Sequence, residues 1–351
     1  MKTVQRIKFL TTAAVASAAC TLSACGGLDV PGAPEAQEDT AVQGNATPAS
    51  SPQADDPAGD VVAIDGFEQV DDLAAIGESV AVRSGDKLAV GTVEQLKSGE
   101  LEATTIPAEC GVMSTSHLGF VMGCGDHVLT VSPSSPGSPE RTDVSEEFSV
   151  TTAAIVDSGE IFVASSDAAE VSMYVNGERT ENYVVGAPTD QLVSVPNDDA
   201  DDAVVRTYRG DTTIQNLDWD DAREGGRLRV GVALGQMSVG NNGVILVSDT
   251  GGRRLAVYTS TDVVRLHQYG NVDGSPWAVA WDPQRNLAWV TATDNNSAQA
   301  FDISSGAPEP RGRFSTVANA QHMAITDSGA VVIGSASGDG VQIVTEPQLE
   351  S

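Results

Sequence analysis

From Val61 onward the chain alternates short apolar runs with clusters of Gly, Asp, Asn, Ser and Pro. Almost nowhere does an i, i+3, i+4, i+7 stripe persist, so the pattern predicts strands and very few helices. The strands recur in kind. Thr152-Ala-Ala-Ile-Val-Asp-Ser-Gly159, Met237-Ser-Val-Gly-Asn-Asn-Gly243, Trp277-Ala-Val-Ala-Trp-Asp-Pro283 and His322-Met-Ala-Ile-Thr-Asp-Ser-Gly329 each end an alternating strand in a polar turn. An apolar strand follows each time (Ile161–Ala164, Val244–Val247, Leu287–Val290, Val331–Ile333), then a turn and a third strand.

Extending that register places seven first strands near Leu73, Gly111, Thr152, Leu192, Met237, Trp277 and His322, with steps of 38 to 45 residues. Four strands in about 40 residues is the period of a β-propeller. The seventh unit holds three strands, His322–Thr326, Ala330–Gly334 and Val341–Thr345, and the missing outer one is available within Asp60–Val70. The expected fold is therefore all-β: a seven-bladed β-propeller whose last blade is completed by an N-terminal strand. A two-sheet sandwich explains neither the steady step nor the leftover terminal strand.

The segment Trp277–Pro283 with Leu287-Ala-Trp-Val290 and Asp294-Asn-Asn296 resembles a blade of the bacterial YncE-like and NHL-like propellers. The resemblance is clear over 230–345 and thin over blades one, two and four. It implies the scaffold, and it transfers no catalytic residue. Some relatives act as metal-dependent lactonases that hold Ca²⁺ or a similar ion through Glu, Asn and Asp in the channel.

Ahead of the propeller, Met1–Lys8 is basic and Phe9–Thr21 is small and apolar, too short to span a bilayer. Leu22-Ser23-Ala24-Cys25-Gly26 resembles the lipobox of bacterial lipoproteins. This divides the chain into a signal peptide (1–24), a lipidated Cys25 opening a flexible acidic linker (25–60), and the propeller (61–351). The expected location is the cell envelope, anchored by lipid to the outer leaflet of the cytoplasmic membrane and facing away from the cytoplasm. Two or more acyl chains make such anchoring stable where one is marginal. From Gly26 to Asp60 there is no Lys, Arg or aromatic residue, and seven acids; such a composition reads as a tether that buries too little to become ordered.

Charge narrows the partners. With 49 acidic against 19 basic residues the formal charge is −30. Such a surface repels phosphate backbones and anionic lipid heads over a Debye length of ~8–10 Å, which excludes nucleic acid and leaves the lipid as the only membrane contact. The expected partner is a protein or envelope ligand at the propeller rim, and the chain is read as a monomer.

Of the four cysteines, Cys20 leaves with the leader and Cys25 carries lipid. Cys110–Thr115 and Gly119–Cys124 read as hairpin arms, which would bring Cys110 and Cys124 within disulfide reach in an oxidising compartment. Two free buried thiols are the other reading of the pair.

Where first strands begin, the channel mouth should present Asp72, Glu109, Asp190, Gln236, Trp277 and His322. Trp277 beside His322 offers an apolar platform and a titratable nitrogen. Each second-to-third strand turn also holds an aspartate: Asp86, Asp126, Asp167, Asp211, Asp249, Asp294 and Asp339. These read either as an anionic crown or as ordinary turn formers. No nucleophile elbow and no Gly-rich phosphate loop occurs. No cofactor is expected, and the function read from the sequence is non-catalytic binding or scaffolding. The alternative is a metal-dependent hydrolase or lactonase holding a divalent cation such as Ca²⁺ in the channel, with Asp72, Glu109 and Asp190 as imitators of the relatives' ligands.

Overall fold

In a computed structural model of the chain, residues 43–349 are described. Seven four-stranded antiparallel sheets follow one another. Their first strands are Asp72–Ile76, Met113–Ser116, Thr152–Ile155, Gln191–Val195, Leu234–Val239, Pro276–Asp282 and Ala320–Ile325. Each lies within three residues of the position expected from the repeat. The ring closes as anticipated: Asp60–Val62 pairs antiparallel with Val341–Ile343 and completes the last blade. Among the described residues, helix is confined to Val93–Ser98 and one 3₁₀ turn at Thr293–Asn295.

The packing explains why the strands are apolar on both faces. Alternate side chains of a blade point into different seams, so each seam between neighbouring blades holds its own core. In blade 5, Ile245 and Val247 pack toward blade 4, whereas Leu246 packs toward blade 6. Seven such cores account for the seven seams. The seam between blades 7 and 1 draws on Ile64, Phe67 and Val70, so the segment after the closing strand is also structural.

Up-down-up-down strand order gives the disk two faces. The loops leading into first strands share the upper face with the second-to-third strand turns; the remaining turns form the lower face.

The reading of residues 25–60 as a flexible linker fails from Gln43 onward. Gly44 N–H donates to Val232 O and Asn45 N–H to Arg209 O on the upper face of blades 4 and 5. Ser51 Oγ donates to Thr293 O and accepts from Asn319 N–H, and Asn296 Nδ2 donates to Pro52 O, all on blades 6 and 7. Ala58 N–H then donates to Ser315 O, and Ala46 and Ala58 pack on the core of that seam. Residues 43–59 are thus a strap crossing the upper face. Its composition misled because hydrogen bonds through its backbone and the Ser51 hydroxyl, more than apolar side chains, hold it. Pro48, Pro52 and Pro57 also reduce the freedom it loses on ordering.

Candidate functional site

The first strands surround a central channel, with Asp72, Gln191, Gln236, Gln321 and His322 at its upper end and Ala74, Val279 and Ala280 along its wall. Two of these polar groups, with others nearby, are committed to joining blades. Asp72 Oδ2 accepts from Met113 N–H at 2.6 Å, and Gln191 both accepts from Met237 N–H and donates to Met237 O. Ser114 Oγ donates to Ala153 O, and Thr152 Oγ1 accepts from Leu192 N–H. Ser248 Oγ donates to Trp277 O and Thr291 Oγ1 to Ala320 O. At the closing seam Asp327 N–H donates to Gly77 O, and Ser328 donates twice to Glu78. Every seam therefore has a latch, and a buried carbonyl or N–H that lost its partner would carry a desolvation penalty.

Of the sequence-predicted mouth residues, the structure brings Asp72, Gln236 and His322 to the channel. Asp72 Oδ1 stands 4.0 Å from His322 Nδ1 across the closing seam. Burial pushes the Asp72 carboxyl up, against the opposing pull of His322 and two backbone N–H donors. The same burial pushes the His322 imidazole down, partly offset by Asp72 and Asp71. Each group thus favours its neutral form.

Glu109, Asp190 and Trp277 lie elsewhere. Glu109 is exposed on the loop before Cys110. Asp190 Oδ2 accepts from Arg209 N–H and serves as a turn cap. Asp72, Glu109 and Asp190 therefore do not converge as a cation cage, and among the described residues no cluster of three or more His, Cys, Asp or Glu is placed to hold a metal. Trp277 is only 4% exposed, packed with the core between blades 6 and 7 rather than offered at the rim, its ring also lying near Gly235 of blade 5 and 5.9 Å from the guanidinium of Arg209 on blade 4. The cause is a register shift between Pro276 and Val279: Trp277 shares a core with Ala278, whereas Trp281 turns to the opposite seam and borders the channel. Simple alternation missed Trp281 because the bulge inverts its parity relative to Trp277.

The aspartates of the upper turns are mostly neutralised. Asp249, fully buried, accepts from Val232, Ala233 and Gly252 N–H groups and pairs with Arg254 at 2.7 Å. Gly231, at φ +50°, leaves room for that carboxylate; a Cβ there would strike it. Asp126 pairs with Arg141 and Asp211 with Arg227. Asp294 accepts from Ser275 N–H, and Asp339 from Ser335 and Ser337. They act as turn formers and not as an anionic crown. Cys110 and Cys124 form a disulfide, and Arg83 clamps the neighbouring carbonyls of Cys110 and Gly111 to blade 1.

Cys25 and the leader lie outside the described residues. No family model and no curated protein matches the chain. Solved structures that resemble it are propellers or contain them. A streptogramin B lyase superposes with a TM-score of 0.63 at 12% identity, covering 83% of this chain and 96% of that one. A chain of a mitotic checkpoint complex gives 0.62 at 14% identity, covering 92% and 98%. The WD40 propeller domain of Doa1 gives 0.57 at 13% identity, covering 84% and 95%. At these identities the likeness is one of fold.

Proposed function

We propose that this chain is a cell-envelope lipoprotein, held by Cys25 to the outer leaflet of the cytoplasmic membrane, whose propeller is a non-catalytic binding or scaffolding module. The observation that carries the reading is the use of the channel's polar groups. Of the channel-lining side chains, latches between blades consume Asp72, Gln191 and Ser114, while Thr152, Ser248 and Thr291, outside the channel lining, latch further seams; this commitment suits a rigid recognition disk better than a reaction centre. A protein or envelope ligand on one of its faces is the expected partner. The order basic start, apolar stretch and Leu22-Ser23-Ala24-Cys25 supports the lipid anchor.

The second reading, a metal-dependent hydrolase, is favoured by the Asp72–His322 pair on the channel wall. It requires a divalent ion, so added Ca²⁺ should raise the thermal midpoint of the wild type but not of Asp72→Asn if that reading holds.

Two experiments test the proposal. Cys25→Ala should move the protein from the membrane fraction to the soluble or secreted fraction; full membrane retention of the variant defeats the anchor. Photocrosslinkers placed at Gln321 on the upper face and at Ser116 on the lower one, in intact envelopes, should capture a discrete adduct from at least one face. The absence of any adduct at both positions overturns the binding-module reading.

A further inference from the structure

Below the latches, the channel widens into a second cavity of about 430 Å³ that opens on the lower face. It shares Ala75, Thr115 and Val239 with the channel, so the two spaces are continuous. One wall is aliphatic, from Ile76, Ile155 and Val239. The rim holds Asp157, Asp202, His117 and Asn197, and no Lys or Arg lines the cavity.

The rim groups form a connected set. Asp202 Oδ2 accepts from Asp157 N–H at 3.0 Å and from Ser194 Oγ at 2.6 Å, with Ser194 itself buried. These bonds fix the Asp202 carboxylate and leave its Oδ1 with no hydrogen-bond partner among the described residues. Asp157 Oδ1 sits 3.4 Å from His117 Nδ1. Asn197 has a buried Oδ1 with no partner. Unlike Asp126, Asp211 and Asp249, neither Asp157 nor Asp202 has an arginine partner among the described residues. Asp198, Asp199 and Asp201 stand on the same loop as Asp202 and deepen the negative potential.

A preformed cavity with an aliphatic wall, a carboxylate fixed at its mouth (Asp202), an exposed one beside it (Asp157) and no Lys or Arg in its lining selects one kind of guest. We infer that the lower mouth is a binding site for a primary ammonium group on an aliphatic stem, either a free alkylamine or a lysine side chain of a polypeptide. The stem lies against Ile76, Ile155 and Val239, and the ammonium donates to Asp157 and Asp202. The inference rests on the binding-module reading and adds to it a face, a site and a ligand class.

The test is a titration of the full chain with n-pentylammonium, and in parallel with the capped peptide Ala-Ala-Lys-Ala-Ala, followed by amide NMR. Saturable shifts should appear at Ser116, His117, Asp157 and Asp202, and n-pentanol and valerate should produce none. Asp157→Asn/Asp202→Asn should weaken binding by about fivefold or more, since one half-buried ion pair at Asp202 and one exposed pair at Asp157 are lost. Ser116→Lys, which tethers an ammonium beside the cavity and leaves both carboxylates in place, should compete and abolish binding. Asp262→Asn, on the far edge of blade 5, should leave it unchanged and so separate the site from general charge attraction.

Saturation by pentylammonium alone supports a free amine, and equal or tighter binding of the peptide supports a lysine side chain. No saturable shift with either probe, equal binding of pentanol, or an unchanged affinity in the double variant overturns the inference. Such a failure leaves the binding-module reading standing if crosslinking still captures an adduct on either face.

Discussion

His322 and Asp72 face each other, half-buried, across the closing seam, and their titrations pull stability in opposite senses. The folded state lowers the imidazole's affinity for a proton. As pH falls through the unfolded value near ~6.5, the unfolded chain takes up a proton that the fold resists, so stability is lost on acidification. Asp72, raised by burial, contributes the reverse: stability rises as pH drops from its folded value toward the unfolded one near ~3.9. The two contributions act in opposite senses, so removing the imidazole isolates the histidine's part. His322→Gln should therefore flatten the fall in thermal midpoint between pH 7 and 5.5 relative to wild type, and an identical slope in both proteins would count against a neutral imidazole. Trp277, expected at the channel mouth, is instead a core residue. Filling the seam between blades 6 and 7, it should cost about 3–5 kcal/mol of stability when cut to Ala, measured by chemical denaturation. The aspartates of the upper turns were legible as turn formers from residue type alone, since Asp satisfies nearby N–H groups wherever it begins a tight turn. The burial of Trp277 was not legible, because a bulge leaves no compositional trace.

Strands and their latches form the next level. The repeat step, the strand order and the closing segment were all readable, because alternate residues must fill two seams and the turns must be polar. Which polar residues join the blades was not readable, since Ser, Thr, Gln and Asp each perform that task at different seams. Thr291 shows what a latch is worth. Its Oγ1 accepts from Ala278 N–H and donates to Ala320 O, so Thr291→Val keeps the shape and orphans two buried backbone groups. A loss of about 1–3 kcal/mol is expected, and a change within error would mean that water replaces the hydroxyl. Blade 2 has a covalent element as well. The Cys110–Cys124 bond closes a short loop just beyond the paired part of the Met113–Gly123 hairpin, held to blade 1 by Arg83. Replacing both cysteines by Ser should cost about 3 kcal/mol in the loop-entropy picture. Non-reducing mass spectrometry of the wild type should find the two peptides linked, and alkylation of both thiols without reduction would contradict the bond.

At the scale of the ring, everything depends on a closure made by the first described strand and the last. Asp60–Val62 adds the fourth strand to a blade whose other three come from the opposite end of the chain, and Ile64, Phe67 and Val70 then fill the seam with blade 1. The strap contributes to the same region by a different means. It touches the ring at blades 4, 5, 6 and 7 through backbone groups and the Ser51 hydroxyl, with two alanines as its partly buried apolar contacts on a core. Ordering residues costs conformational entropy roughly in proportion to their number, so hydrogen bonds to exposed loops nearly balance that loss instead of exceeding it. Deletions should then separate the two contributions. Removing 43–59 from the full chain should leave a soluble propeller with a modestly lower thermal midpoint and faster amide exchange on the upper-face loops around Val232, Thr293 and Asn319. Extending the deletion through Val70 exposes the pairing edge of Val341–Val344 and empties a seam, and an unpaired strand edge next to an open apolar face drives aggregation. Should the longer deletion remain monomeric with an unchanged midpoint, the ring would be closed by something other than its two ends. Should the shorter one already unfold, the strap would be a structural member of the disk and not an attachment to it.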